Sequence, residues 1–260
     1  MQPWPLLLSI PHGGEEIPPE VADRTALEPA ERFADSDPFT REIYDVKDRA
    51  VFVISAKIAR AVVDLNRAPS DLPPKNPDGV VKSHTCEGRA VYLPDKTPDP
   101  LLVETLLARY YHPYHEKIRT TLQRERERLL LGLDCHSMAA VGPAIAPDPG
   151  KKRPIFCLSN AAGRSAPDPM VERFASALAK AFRIDSSHIA INAPFLGGFI
   201  TRTYGGDPIP WIQIEMNRSL YLAPPWFDEK SLEIDHERLR WLNARFREAL
   251  EIFFAEAKPP

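Results

Sequence analysis

The apolar positions of this chain fall into short runs broken by Pro, Gly, Asn or Asp. Between the runs lie stretches whose apolar residues recur every three or four positions. "LLLSI" (6–10), "AVFVISA" (50–56), "AVVDLN" (61–66), "LLLGLDCH" (129–136), "PIFCLSN" (154–160), "HIAIN" (188–192) and "WIQIEMN" (211–217) are short and bounded by turn residues, so they read as strands. Several are apolar on both faces, as strands covered on both sides by helices tend to be. Segments 37–48, 99–129, 167–182 and 231–257 read as helices, the first capped by Ser36 and the second kinked or broken at Pro113. This order predicts an α/β fold: a mixed, mostly parallel central sheet with helices on both faces. Two proline-rich stretches, 68–100 and 141–154, read as long loops, either functional or disordered.

Length and composition narrow the class. With 260 residues, the chain reads as one domain over 1–260. Its 28 prolines against 12 glycines suggest rigid loops around a core rather than flexible linkers. A net charge of −3 gives no basic excess for nucleic acid. No apolar run approaches the roughly 20 residues of a membrane span, and the N-terminus lacks the basic flank and long apolar core of a signal peptide. Three scattered cysteines, Cys86, Cys135 and Cys157, make neither a disulfide framework nor a zinc cluster. The expectation is a reduced, cytoplasmic protein with no nucleic-acid or membrane partner.

In open α/β sheets, sites gather at the carboxyl ends of strands, and four of the apolar runs carry reactive residues near their ends. "LLLSI" runs into "PHGG", "AVVDLN" into Arg67, "LLLGLD" into "CHS", and "WIQIE" into "MNR". His12 and His136 are metal candidates, since imidazole suits zinc and a catalytic zinc takes three protein ligands and keeps one position open. Gly13 and Gly14 permit a tight turn and leave room beside an ion. Two acids compete for the third ligand. Glu15 gives a His-x-x-Glu spacing, and Asp37 lies in "DSDP". Asp134 shares a strand face with His136 and suits a partner that orients that ring. The remaining histidines read as structural or surface residues.

Glu215 shares a strand face with Trp211, Gln213 and Asn217. A carboxylate in so apolar a strand is either a general base or half of an ion pair, with Arg218 the nearest arginine. Arg67 beside Asn66 is either a fork for a substrate carboxylate or a salt-bridge partner of Asp64. The glycine-dense "PFLGGFITRTYGG" (194–206) reads as a substrate loop, from which Arg202 and Tyr204 could reach a ligand, or as a tight hairpin.

Taken in order, "SIPHGG", "SDPFTREIY", "VVDLNR", "YHPYH", "LDCHSM", "NAPFLGGFITRTYG" and "QIEMNRSLY" resemble the N-formylglutamate amidohydrolase family over about residues 8 to 222. The resemblance implies a zinc-carboxypeptidase-like (phosphorylase/hydrolase-like) core, related to aspartoacylases, and one zinc per chain. It implies hydrolysis of N-formyl-L-glutamate, a small N-acyl amino acid, to formate and L-glutamate, a late step of histidine degradation. By position, His12 and His136 are implied as ligands, with Asp37 favoured over Glu15. Glu215 is implied as the catalytic carboxylate, and Asn66 with Arg67 as the carboxylate clamp. The loop 141–160 departs from the family pattern, which keeps a second substrate open: another N-acyl amino acid or a short peptide. A third reading is a catalytically silent binding module.

Overall fold

Six of the seven apolar runs form one sheet. In the computed structural model, which describes residues 3–144 and 146–256, the strands are β1 (Trp4–Ile10), β2 (Ala50–Ser55), β3 (Leu131–Met138), β4 (Phe156–Ser159), β5 (Ile189–Ile191) and β6 (Trp211–Asn217). Ala257, the end of the expected last helix, and Ile145, within the expected loop 141–154, lie outside the described residues. The spatial order is β2-β1-β3-β6-β4-β5. The first four of these run parallel, β4 is antiparallel to β6, and β5 is parallel to β4. A short hairpin, β7 (Phe227–Asp228) with β8 (Glu233–Ile234), lies apart from this sheet.

The helices are α1 (Pro29–Asp35), α2 (Thr40–Ile43), α3 (Pro100–Leu106), α4 (His112–Glu125), α5 (Asp168–Phe182), α6 (Phe199–Tyr204) and α7 (His236–Ala255). The break expected at Pro113 is a π turn over Leu107–Tyr111, so α3 and α4 follow one another with the proline in the first turn of α4. A proline there removes an N–H that the wider turn leaves unpaired. The expected helix 37–48 shrinks to α2, because Asp37 and Pro38 form a turn that Phe39 closes at φ 60°. Ser36 ends α1 rather than capping α2. Helix α1 escapes a periodicity reading because the only residue it buries is Asp35.

The run 61–66 is not a strand. It makes a single bridge, Val63 to Val81, and its apolar residues Val62, Val63 and Leu65 are buried as part of a core beneath the loop 56–99. Burial produced the apolar pattern without a strand ladder. The glycine-dense segment 194–206 likewise forms α6 instead of a hairpin.

Alternation along the strands divides the core. Leu6, Leu8 and Ile10 join Leu133, Cys135, Ile212, Ile214 and Met216 under α5 and α7; each such fully buried side chain contributes about 1.5–3 kcal/mol. Leu7 and Trp211 face the other way, toward Tyr114, Ile118 and Leu122 of α4 and Ile200 of α6. On this second face the apolar residues give way, toward the strand carboxyl ends, to buried Ser9, Asp134, His136, Gln213 and Glu215. Buried polar groups are tolerated only when partnered, so this face defines the candidate site. Among the described residues no helix is long and apolar enough to cross a membrane.

Candidate functional site

His12 follows β1, and His136 lies in β3, its neighbour in the sheet. Asp37 reaches them from the turn before α2, which is tied to the end of β1 by the Asp37 N–H donating to the His12 carbonyl at 3.0 Å. The Nδ1 atoms of His12 and His136 lie 3.1 Å apart. Asp37 Oδ2 is 3.0 Å from His136 Nδ1 and 3.4 Å from His12 Nδ1. All three side chains are buried. Donor atoms at 2.0–2.1 Å from a tetrahedral zinc would be spaced by about 3.3 Å, so the three atoms stand near ligand spacing, and the donor set suits that ion.

The outer nitrogens of both rings face carboxylates. His12 Nε2 is hydrogen-bonded to Asp64 Oδ1 at 2.7 Å, and His136 Nε2 lies 3.1 Å from Asp134 Oδ1. A carboxylate at Nε2 keeps the proton on that nitrogen and turns the Nδ1 lone pair toward the centre. Two such lone pairs 3.1 Å apart need a proton or a cation between them. Burial opposes a charge on His136, but the Asp134 carboxylate, with help from Asp37, overrides it and holds the ring well above its usual value. Burial alone would raise the carboxyls of Asp37 and Asp64. The neighbouring imidazoles of His12 and His136 hold Asp37 well below its normal range, and His12 with the Arg60 charge does the same for Asp64.

Arginines fix the outer carboxylates. Arg218 Nη2 donates to Asp37 Oδ1 at 2.9 Å, and Arg60 Nε to Asp64 Oδ2 at 3.0 Å. Arg218 therefore pairs with Asp37, not with Glu215. Asp134 Oδ2 accepts from Thr201 Oγ1 at 3.1 Å and from Asn66 Nδ2 at 3.2 Å. Asp64 was read from the sequence only as a partner for Arg67, and Arg60 and Thr201 carried no separate signal, since each needs the fold to reach the cluster.

Glu215 stands directly opposite His136 in the β3–β6 register and is buried. Its Oε1 accepts from Gln213 Nε2 at 2.9 Å, and Gln213 Oε1 accepts from the Gly198 N–H. Burial raises its pKa to about 7, even though the charge of His136 pulls it down. A carboxyl poised near neutrality beside a ligand-spaced cluster can accept and return a proton.

Of the other expected residues, Asn66 lies against the cluster, but its amide is engaged. Nδ2 donates to Asp134 and lies 3.0 Å from His136 Nε2, while Oδ1 accepts from the Ile200 N–H at 2.7 Å. Gly198 permits this contact, because a Cβ there would fall 2.3 Å from Asn66 Nδ2. Arg67 pairs mainly with Asp78 at 2.7 Å, with Asp64 farther at 3.6 Å, and keeps 35% of its side chain exposed. Arg202 is exposed on α6. Tyr204 does not reach the cluster: it is buried, with its hydroxyl 2.8 Å from His115 Nδ1. Glu15 is exposed and outside the cluster. Gly14 makes room for the chain rather than for an ion, since a Cβ there would meet the Lys57 carbonyl carbon at 2.3 Å.

Residues 4–222 match the profile of the family described as N-formylglutamate amidohydrolase. N-formylglutamate deformylases of Pseudomonas putida and Pseudomonas aeruginosa are 32% and 30% identical to the chain over 226 and 225 residues, covering 84% of it and 82% of each relative. The solved N-formylglutamate amidohydrolase of Ralstonia eutropha JMP134 has the same fold, with a TM-score of 0.78 at 19% identity, covering 98% of this chain and 94% of that one. The gene product Atu2144 of Agrobacterium tumefaciens gives a TM-score of 0.69 at 14% identity, covering 98% and 91%. With most of its length matched in sequence and nearly all of it in fold, the chain belongs to the N-formylglutamate amidohydrolase family.

Proposed function

We infer that the protein is a metal-dependent amidohydrolase that cleaves N-formyl-L-glutamate to formate and L-glutamate. The observation that carries the reading is the buried trio of His12, Asp37 and His136, with two Nδ1 atoms 3.1 Å apart and each outer nitrogen facing a carboxylate. These three residues would hold one zinc ion, which supplies Lewis acidity toward water and the amide carbonyl.

The remaining chemistry belongs to the chain. Glu215 takes a proton from the attacking water as oxygen bonds to the formyl carbon. It returns that proton to the amine nitrogen as the C–N bond breaks, leaving formate and free L-glutamate. Gln213 holds one carboxylate oxygen of Glu215 and so fixes the direction of the other. Arg67 pairs with a substrate carboxylate through the part of its fork that Asp78 does not use. Asn66, whose amide is spent on Asp134 and α6, supports the centre and leaves the clamp mainly to Arg67. Arg202, exposed on the same helix, would be the second arginine to meet the substrate.

The test is formate or acyl release from N-formyl-L-glutamate, N-acetyl-L-glutamate and a formylated dipeptide under identical conditions. N-formyl-L-glutamate should give the highest kcat/KM. A clear preference for either of the others would move the substrate elsewhere, and no release from any of them would favour a silent binding module.

A further inference from the structure

Among the described residues, Lys82 is a fully buried charge outside the cluster. Its side chain has 0% exposure, and the reaction described above makes no use of it. Its ammonium lies 2.8 Å from Asp35 Oδ2 and 2.6 Å from Asp78 Oδ1. The other oxygen of Asp78 accepts from Arg67 Nη2 at 2.7 Å. Local pairing creates this arrangement: Val63 bridges Val81, and the Asp64 N–H donates to the Val80 carbonyl at 2.8 Å. The segment carrying Asp64, Asn66 and Arg67 is thereby laid beside the segment carrying Asp78 and Lys82.

Asp78 could do one of two opposite things to Arg67. It could compete, occupying the fork that a substrate carboxylate would use. Or it could orient the fork, holding one edge so that the rest stays directed outward. The surroundings decide between them. Lys82 fixes Oδ1, and the Asp78 N–H donates to Asn76 Oδ1 at 3.1 Å. Asn76 in turn donates to Asp71 Oδ2 at 2.9 Å. The Lys82 ammonium holds the carboxylate by charge at ion-pair distance, without hydrogen-bond geometry at Oδ1, and the Asn76 bond holds the Asp78 backbone, so the carboxylate is costly to swing away when substrate arrives. It also uses only one of the five N–H groups of the guanidinium. Arg67 Nε is buried near Asp64 Oδ2 at 3.6 Å, beyond hydrogen-bond distance, so the third of the side chain that remains open belongs to the rest of the group.

We propose that Asp78 and Lys82 are positioning residues for substrate selectivity: the buried Lys82 pins Asp78, and Asp78 sets the direction in which Arg67 presents its guanidinium to a substrate carboxylate. This rests on the reading of Arg67 as the clamp. A purely structural role would also tie the loop 68–99 to α1 through Asp35, but it would not change which substrates the enzyme prefers.

The experiment measures kcat/KM for N-formyl-L-glutamate and for its two amide-blocked analogues, N-formyl-L-glutamine and N-formyl-L-isoglutamine. Wild type, Arg67→Lys, Asp78→Asn and Lys82→Met are compared, with melting temperature and metal content recorded for each. Arg67→Lys should reduce the preference for free acid over one of the two analogues, which identifies the carboxylate it holds. Asp78→Asn should reduce that same preference by about tenfold, the effect of losing one charge-assisted hydrogen bond. Lys82→Met should act in the same direction, and Asp78→Asn keeps the test open should Lys82→Met fail to fold. A sharpened preference in Asp78→Asn would make Asp78 a competitor and overturn the proposal. So would an unchanged preference alongside a lowered melting temperature. If Arg67→Lys leaves both preferences intact, the clamp reading falls first and the proposal falls with it.

Discussion

Replacing Glu215 by glutamine separates chemistry from stability, because the structure gives the two opposite signs. The side chain is buried between β3 and β4, faces His136, and receives one hydrogen bond, from Gln213. Glutamine keeps its shape and volume but accepts no proton at neutral pH. Loss of a general base lowers turnover by about 10²–10⁴-fold, or about 3–5 kcal/mol of activation free energy. Burial lifts the carboxyl to about 7 from the ordinary 4.5. The native state thus keeps a proton that the unfolded chain releases between those values. Stability from this group is present at low pH and is lost as pH rises toward 7. At 1.36 kcal/mol per pH unit, the ionised form costs the metal-free fold up to about 3 kcal/mol above neutrality. Chelated Glu215→Gln protein at pH 8 should therefore melt no lower than chelated wild type, while reconstituted variant should release formate at least about a hundredfold more slowly. The measurements are differential scanning calorimetry and a formate assay on one preparation. A lowered melting temperature with turnover intact in the folded, reconstituted fraction would make Glu215 a structural residue and refute the assignment.

Asp37→Ala should abolish stable metal retention, whereas Glu15→Ala, at an exposed position, should keep it; elemental analysis of the two variants decides, and the reverse order would restore the His-x-x-Glu reading. His115 gives a separate pH signature. Burial pushes its pKa down to about 4, against 6.5 when free, with its ring between Tyr204 Oη and the Leu65 carbonyl. The unfolded chain takes up the proton first, so this contribution, about 3 kcal/mol, is complete above pH 6.5 and disappears as pH falls toward 4. Denaturant melts between pH 7.5 and 4.5 should lose stability less steeply in His115→Gln than in wild type; parallel curves would contradict the prediction.

The strands were legible because their apolar runs were short, and alternation within "LDCH" and "WIQIE" put Asp134, His136, Gln213 and Glu215 on one face. The same rule misread "AVVDLN", where Val62, Val63 and Leu65 are buried without a ladder to make them a strand. Local pattern reports burial, and burial beneath a loop resembles burial in a sheet. Asp37 was foreseen at the start of a long helix, yet it sits in a turn that reaches the cluster because its N–H bonds to the His12 carbonyl. Tyr204 was expected near the substrate because of its glycine-rich surroundings, but those residues form α6, which turns the ring into the core. The partners of the cluster converge from three distant segments: Asp64 with its neighbour Arg60, Thr201, and Arg218. No spacing along the chain encodes such a meeting.

The central claim is that His12, Asp37 and His136 hold an ion on which hydrolysis depends. The direct measurement is a titration of chelated protein with zinc while formate release from N-formyl-L-glutamate is followed. Activity should be absent at the start, rise linearly with added zinc, and level off at one equivalent per chain, and His136→Ala should stay inactive throughout. Full activity in the chelated protein, or a plateau reached equally by His136→Ala, would contradict the account.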